Sequence, residues 1–172
     1  QYLTGFKLEG QYVLFLVRAS GSMVSDDIDE AIAMQSQSDE VKRQSKKWQR
    51  VVRSVQWLIS SLPGDAAFQV MLFAEDTVPL LDRYAVDWID RNDGDAIKEV
   101  IEALGEVVPN GGANLERAFG LVRSMPTVPS SLVLLTDGLP TQSDSYASGD
   151  FVTDVDRVRF FNAAAQIAAP DI

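Results

Sequence analysis

The sequence predicts an α/β fold, a doubly wound, mostly parallel sheet flanked by helices. Three features point to it. Continuous apolar runs rich in β-formers recur along the chain, helical periodicity fills the stretches between them, and long polar loops follow two of the runs. An unbroken apolar run is the pattern of a strand buried on both faces. Strands that alternate with helices are joined as parallel βαβ units rather than as a sandwich or a bundle.

Residues 12–17 (YVLFLV), 68–74 (FQVMLFA) and 131–136 (SLVLLT) are the three buried strands. Residues 78–81 add a short edge strand, because Pro79 lacks the N–H that a central ladder needs. The longest helical pattern covers residues 39–62. Its apolar positions Val41, Trp48, Val51, Val52, Val55, Leu58, Ile59 and Leu62 are read as one stripe. Trp57 is read as core or near-core in the same helix. Ser38 is a fitting N-cap, with Asp39 and Glu40 in the first turn where the helix dipole favours acids, and Pro63-Gly64 is the stop. Further helices are expected over residues 95–107, 114–125 and 154–168, the last followed by Pro170. Residues 24–37 form a polar, acidic loop in which Ile28, Ala31 and Ile32 suit a short helix. Residues 139–153 form a second long loop, rich in Ser, Asp and Gly. Both follow the C-terminal ends of strands, the edge where open α/β sheets bind ligands.

With 172 residues, 46% hydrophobic and 23% charged, the chain is expected to form a single domain over residues 1–172. No apolar run approaches the roughly 20 residues of a membrane span. Gln1 is not a natural start, and a βαβ pattern would continue with a strand after the last helix. The expectation is therefore an excised fragment lacking its final strand or strands. Cys and His are both absent. That excludes disulfides, thiol catalysis, thiolate zinc sites, Ser-His catalysis and histidine metal ligands. The formal net charge of −10 repels phosphate backbones, so nucleic acid is not an expected partner.

Three segments border strand ends. Arg18-Ala19-Ser20-Gly21-Ser22 follows the first strand, Asn110-Gly111-Gly112-Ala113-Asn114 leads into a helix, and Thr136-Asp137-Gly138 closes the third long strand. Together, and in this order, they resemble the metal-ion-dependent adhesion site of the von Willebrand factor A (vWA) family. There the first segment reads Asp-x-Ser-x-Ser, the second supplies a Thr after paired glycines, and the third an Asp before Gly. The resemblance runs from about Tyr12 to Ala169. It implies a Rossmann-like fold, a non-catalytic role in protein binding or cell adhesion, and Mg²⁺ or Mn²⁺ at an intact site. Such an ion takes a shell of oxygens that a partner's carboxylate can complete.

Carried over residue by residue, Ser20, Ser22 and Asp137 match and form a remnant metal site. Arg18 stands where the family has Asp, and Ala113 where it has Thr. Ala113 removes a hydroxyl ligand, and Arg18 reverses a charge. A divalent ion about 4 Å from a fixed positive charge meets repulsion of roughly 8 kcal/mol at an effective dielectric near 20. The expectation is therefore a vacant site with no cofactor, in which Arg18 takes the cation's place and pairs with Asp137; the open alternative is that Arg18 swings into solvent. Both departures fall on ligand positions while the rest of the motif stands, a pattern of deliberate or selected change rather than drift.

The partner expected is a protein, contacted around Arg18, Ser20, Ser22, Ala113 and Asp137. Two other readings stay open: a module that still binds a divalent cation and a ligand, and a regulatory or scaffold subunit of a larger enzyme or ATPase complex. The first long helix carries Lys42, Arg43, Lys46, Lys47, Arg50 and Arg53 among the chain's 15 basic residues, a face that suits an acidic partner, a membrane surface or plain solvent, or that the nearby acidic residues Asp26, Asp27, Asp29 and Glu30 neutralise within the molecule. Gly111-Gly112 is not a phosphate loop, for no Gly-Lys-Ser/Thr follows, and no Gly-x-Ser-x-Gly elbow is present, so catalysis is not expected. The compositional style and short loops read as bacterial. A secreted, periplasmic or membrane-anchored location would rest on regions beyond this chain.

Overall fold

The computed structural model describes residues 10–85, 87–147 and 151–168. Among these, β1 (Tyr12–Arg18), β2 (Ala67–Phe73) and β5 (Ser131–Leu135) are parallel. Two short strands, β3 (Thr77–Pro79) and β4 (Ile89–Asp90), run antiparallel to β2. The sheet order is β3-β2-β1-β5, with β4 also on β2. The sheet is thus mostly parallel, as expected, and Pro79 lies in an edge strand.

Side chains of β1 alternate between two cores, as a strand's two-residue period requires. Val13, Phe15 and Val17 pack with α3 (Lys46–Ser60) and α4 (Gly94–Glu106). Leu14 and Leu16 pack with α5 (Leu115–Arg123) and with Ala164 of α6 (Asp154–Ala168). Residues 13–17 are completely buried, which explains their unbroken apolar character.

The expected helix over residues 39–62 is two helices, α2 (Asp39–Arg43) and α3. Ser38 caps α2 as expected, but Ser45 caps α3 by accepting from the Trp48 N–H, so the chain restarts a helix there. The acidic loop contains α1 (Ile28–Gln35), capped by Asp27. Two apolar assignments are corrected. Val41 is 43% and Trp57 51% exposed. Trp57 lies two positions from both Val55 and Ile59, a turn of about 200° that places it on the opposite side of the helix. Ala169 and Pro170 lie outside the described residues, as does part of the 139–153 loop.

β1 sits between β2 and β5; the chain leaves β1 towards α3, which packs on the Val13 face of the sheet, and leaves β5 towards α6, which packs on the Leu14 face. The loops leaving β1 and β5 therefore diverge at their C-terminal ends and open a crevice there.

Candidate functional site at the C-terminal edge of the sheet

The three loops named from sequence meet at this crevice, tied by backbone. The Gly21 N–H donates to Gly111 O at 3.0 Å and the Asn110 N–H to Ala19 O at 2.9 Å. Ala113 is fully buried. Its N–H donates to Thr141 Oγ1 at 2.8 Å, and its carbonyl accepts from the N–H groups of Thr141 and Gln142 at 2.9 and 3.0 Å. Ala113 thus serves through its main chain, as a joint between the second and third loops. Gly111 has φ +69°, a left-handed conformation that glycine alone adopts at little cost.

Arg18 ends β1 and is only 3% exposed. Its Nε donates to Ser20 Oγ at 2.6 Å, and its Nη1 to Gly138 O at 3.2 Å and Leu139 O at 3.1 Å. Nη1 also lies 3.2 Å from Asp137 Oδ1, the pairing expected from sequence. Ser20 Oγ is 3.2 Å from Ser22 Oγ, and Ser22 donates to Asp137 Oδ1 at 3.2 Å. Arg18, Ser20, Ser22 and Asp137 therefore form one hydrogen-bonded cluster, with buried Ala113 beneath the adjoining loop.

Sequence reasoning missed a second cation. Lys47, assigned to a solvated basic face, donates from Nζ to Asp137 Oδ2 at 2.7 Å, to Ser22 O at 2.8 Å and to Ser25 O at 2.9 Å. Its position in the first turn of α3 follows from the helix restart at Ser45, and the Ser38 and Ser45 hydroxyls were the signal for it. Burial pushes the Asp137 carboxyl up, but the Lys47 hydrogen bond and the Arg18 charge outweigh this and hold it below the usual carboxylate range. Burial lowers the Arg18 guanidinium, Asp137 opposes that, and the charge of Arg157 adds to the lowering. Guanidinium nonetheless stays protonated at usable pH.

These residues do not fit Mg²⁺ or Mn²⁺. Both oxygens of Asp137 are taken by Arg18, Ser22 and Lys47, and Ala113 supplies no side-chain oxygen. No group of three acidic side chains suited to a metal occurs among the described residues. A divalent ion prefers a hard oxygen shell and would here meet two fixed cations.

A cleft of about 570 Å³ opens above the cluster. Its floor carries Arg18, Lys47 and Asp137, and Arg157 of α6 lines it as well. Its rim includes Ile28 and Ile32 of α1, 78% and 66% exposed, and Leu139, 37% exposed.

Neither a protein-family model nor a curated protein matches the chain. Solved structures do match it in fold. A von Willebrand factor type A protein from Catenulispora acidiphila is 18% identical, with a TM-score of 0.56, over 90% of this chain and 30% of that one. The PilB minor pilin from Streptococcus sanguinis is 17% identical, with a TM-score of 0.60, over 93% of this chain and 47% of that one. The pilus adhesin SpaC from Lactobacillus rhamnosus GG is 16% identical, with a TM-score of 0.51, over 79% of this chain and 16% of that one. The chain thus spans less than half the length of each. The fold is that of vWA domains.

Proposed function

We propose that this chain, which has the vWA fold, is a non-catalytic protein-interaction module that works without a metal ion and presents the C-terminal edge of its sheet to a protein partner. One observation carries the reading. The guanidinium of Arg18 is buried at the end of β1 and bonded to Ser20, Gly138, Leu139 and Asp137, so a built-in cation holds together loops that a bound ion would otherwise organise. The fold neighbours that are a pilin and a pilus adhesin support an interaction role. The chain has no histidine to act as base for Ser20 or Ser22, and Ser20 is already engaged by Arg18, which supports the absence of catalysis.

The test is calorimetric titration of Mg²⁺ and Mn²⁺ into this chain, beside the double variant Arg18→Asp, Ala113→Thr. The chain is expected to give no binding heat, while the double variant binds. Equal binding by both would mean that a cation binds this chain elsewhere, whatever stands at residues 18 and 113, and the metal-free reading would be wrong.

A further inference from the structure

The second of the three loops carries an Asn-Gly pair, Asn110-Gly111. The fold requires the glycine. Gly111 has φ +69°, and a side chain there would begin 3.0 Å from Glu75 Oε1. The fold uses Asn110 only through its main chain, whose N–H donates to Ala19 O at 2.9 Å. The Asn110 side chain is exposed and forms no hydrogen bond among the described residues. The Gly111 N–H likewise donates to nothing among them. An amide side chain free to turn thus stands beside a main-chain nitrogen that no Cβ shields and no acceptor holds. Those are the conditions under which the two react.

The other three asparagines lack these conditions. Asn92 donates from Nδ2 to Gly64 O at 2.8 Å and to Asp90 Oδ1 at 3.0 Å, and the Asp93 N–H that follows donates to Asp90 O at 3.0 Å. Asn114 is buried, accepts from the Arg117 N–H and donates to Asp144 Oδ1, both at 3.1 Å. Asn162 lies inside α6, where the next N–H belongs to the helical ladder.

We propose that Asn110-Gly111 is a self-modification site at which the folded protein deamidates without an enzyme. The Gly111 nitrogen attacks Asn110 Cγ and gives up its proton. The new N–C bond closes a succinimide ring as the Cγ–Nδ2 bond breaks, and Nδ2 leaves with that proton as ammonia. Water then opens the ring. Its attack at Cγ gives aspartate on the ordinary main chain. Its attack at the main-chain carbonyl carbon of residue 110 gives isoaspartate, in which the chain runs through Cγ. Asn110 lines the cleft with Arg18, Lys47, Arg157, Asp137 and Asp26, so either product adds a carboxylate there. Isoaspartate also lengthens the main chain between the Asn110 N–H, bonded to Ala19 O, and the Gly111 carbonyl, bonded to the Gly21 N–H. Those two bonds tie the first loop to the second. The modification therefore changes the charge and the anchoring of this edge with time, whatever binds there.

The test is to hold the protein at mildly alkaline pH and follow Asn110 by peptide mass mapping, with isoaspartate counted by isoaspartyl methyltransferase labelling. Conversion is expected to rise with hydroxide, which removes the Gly111 proton. In the folded protein it should stay within about tenfold of the rate in urea, because the loop offers little local protection. Asn110→Gln should keep the parent's melting temperature when fresh and lose the methyltransferase label. After ageing, the parent should melt below Asn110→Gln held alongside. Folded-state conversion more than about a hundredfold slower than in urea would overturn the proposal, since the loop would then protect the pair. So would labelling that is undiminished in Asn110→Gln. Equal melting of the fully converted parent and Asn110→Gln would overturn the predicted loss of the loop ties.

Discussion

Two charged clusters share the C-terminal edge of the sheet, and they are built to opposite ends. Around Asp137, two cations converge on one carboxylate, and a third, Arg157, forms no ion pair among the described residues. At the start of α5, one carboxylate is saturated by its own chain. Glu116 is 9% exposed and accepts from the Ser143 hydroxyl at 2.6 Å, from the N–H groups of Asp144 and Ser145 at 3.1 and 3.2 Å, and from the Ser145 hydroxyl. Arg117 beside it pairs with Asp76 and Asp144, both at 2.9 Å. In the second cluster Glu116 and Asp144 clasp residues 143–145 to α5, and Arg117 also ties α5 to Asp76 in the turn after β2. In the first, a positive charge is left facing a cleft. The same residue types make a staple in one place and line an open cleft in the other, and the difference is visible only when partners are counted.

The sharpest way to break the comparison is to remove the shared carboxylate. Asp137→Ala leaves Arg18 buried without its carboxylate and Lys47 with only Asp26, 3.7 Å away, as an ion-pair partner, which should cost about 3 kcal/mol or more of unfolding free energy in urea titration. A loss under about 1 kcal/mol would mean that Arg18 finds water or another acceptor. Glu116→Gln comes next. It weakens several charge-assisted hydrogen bonds while leaving an acceptor oxygen, for an expected loss of about 2 kcal/mol, with faster proteolysis near residues 143–145. Unchanged proteolysis would separate Glu116 from loop clasping.

Acid sharpens the comparison in both clusters. Burial pushes the Glu116 carboxyl up, but the hydrogen bonds from Ser143, Ser145 and Asp144 outweigh it, and Asp137 is likewise held low. A carboxyl depressed in the folded state contributes stability above its unfolded pKa, near 4, and loses it as pH falls through the lower folded value. Stability should therefore fall below about pH 4, more steeply in the parent than in Asp137→Asn or Glu116→Gln, as read from melting curves against pH. Parallel curves would deny that these groups are linked to folding. The smallest effect belongs to Arg50→Ala. Arg50 and Asp26 are 58% and 70% exposed, so solvent screens the pair and the urea midpoint should stay at the parent's value.

Legibility followed physical range. The strand run of residues 13–17 was readable because both of its faces are buried, so no polar residue interrupts it. The pairing of Arg18 with Asp137 was readable because two strand ends in a parallel sheet bring their following residues together. Lys47 was misread as solvated, because its fate depends on where α3 restarts and on a carboxylate far along the chain. The two-residue strand β4 carried no pattern of its own and exists through pairing with β2. Arg157 drew no notice, since a single arginine in a helix with apolar and acidic neighbours looks like ordinary surface.

The sequence by itself determined the layered α/β class, the three loops that meet at the edge and the charge reversal at Arg18, since these follow from local periodicity and residue chemistry. That two cations share Asp137, that Ala113 acts through its backbone and that Arg157 has no ion-pair partner among the described residues came from the three-dimensional packing, because whether a charge is spent or free depends on which distant groups the fold brings within hydrogen-bonding distance.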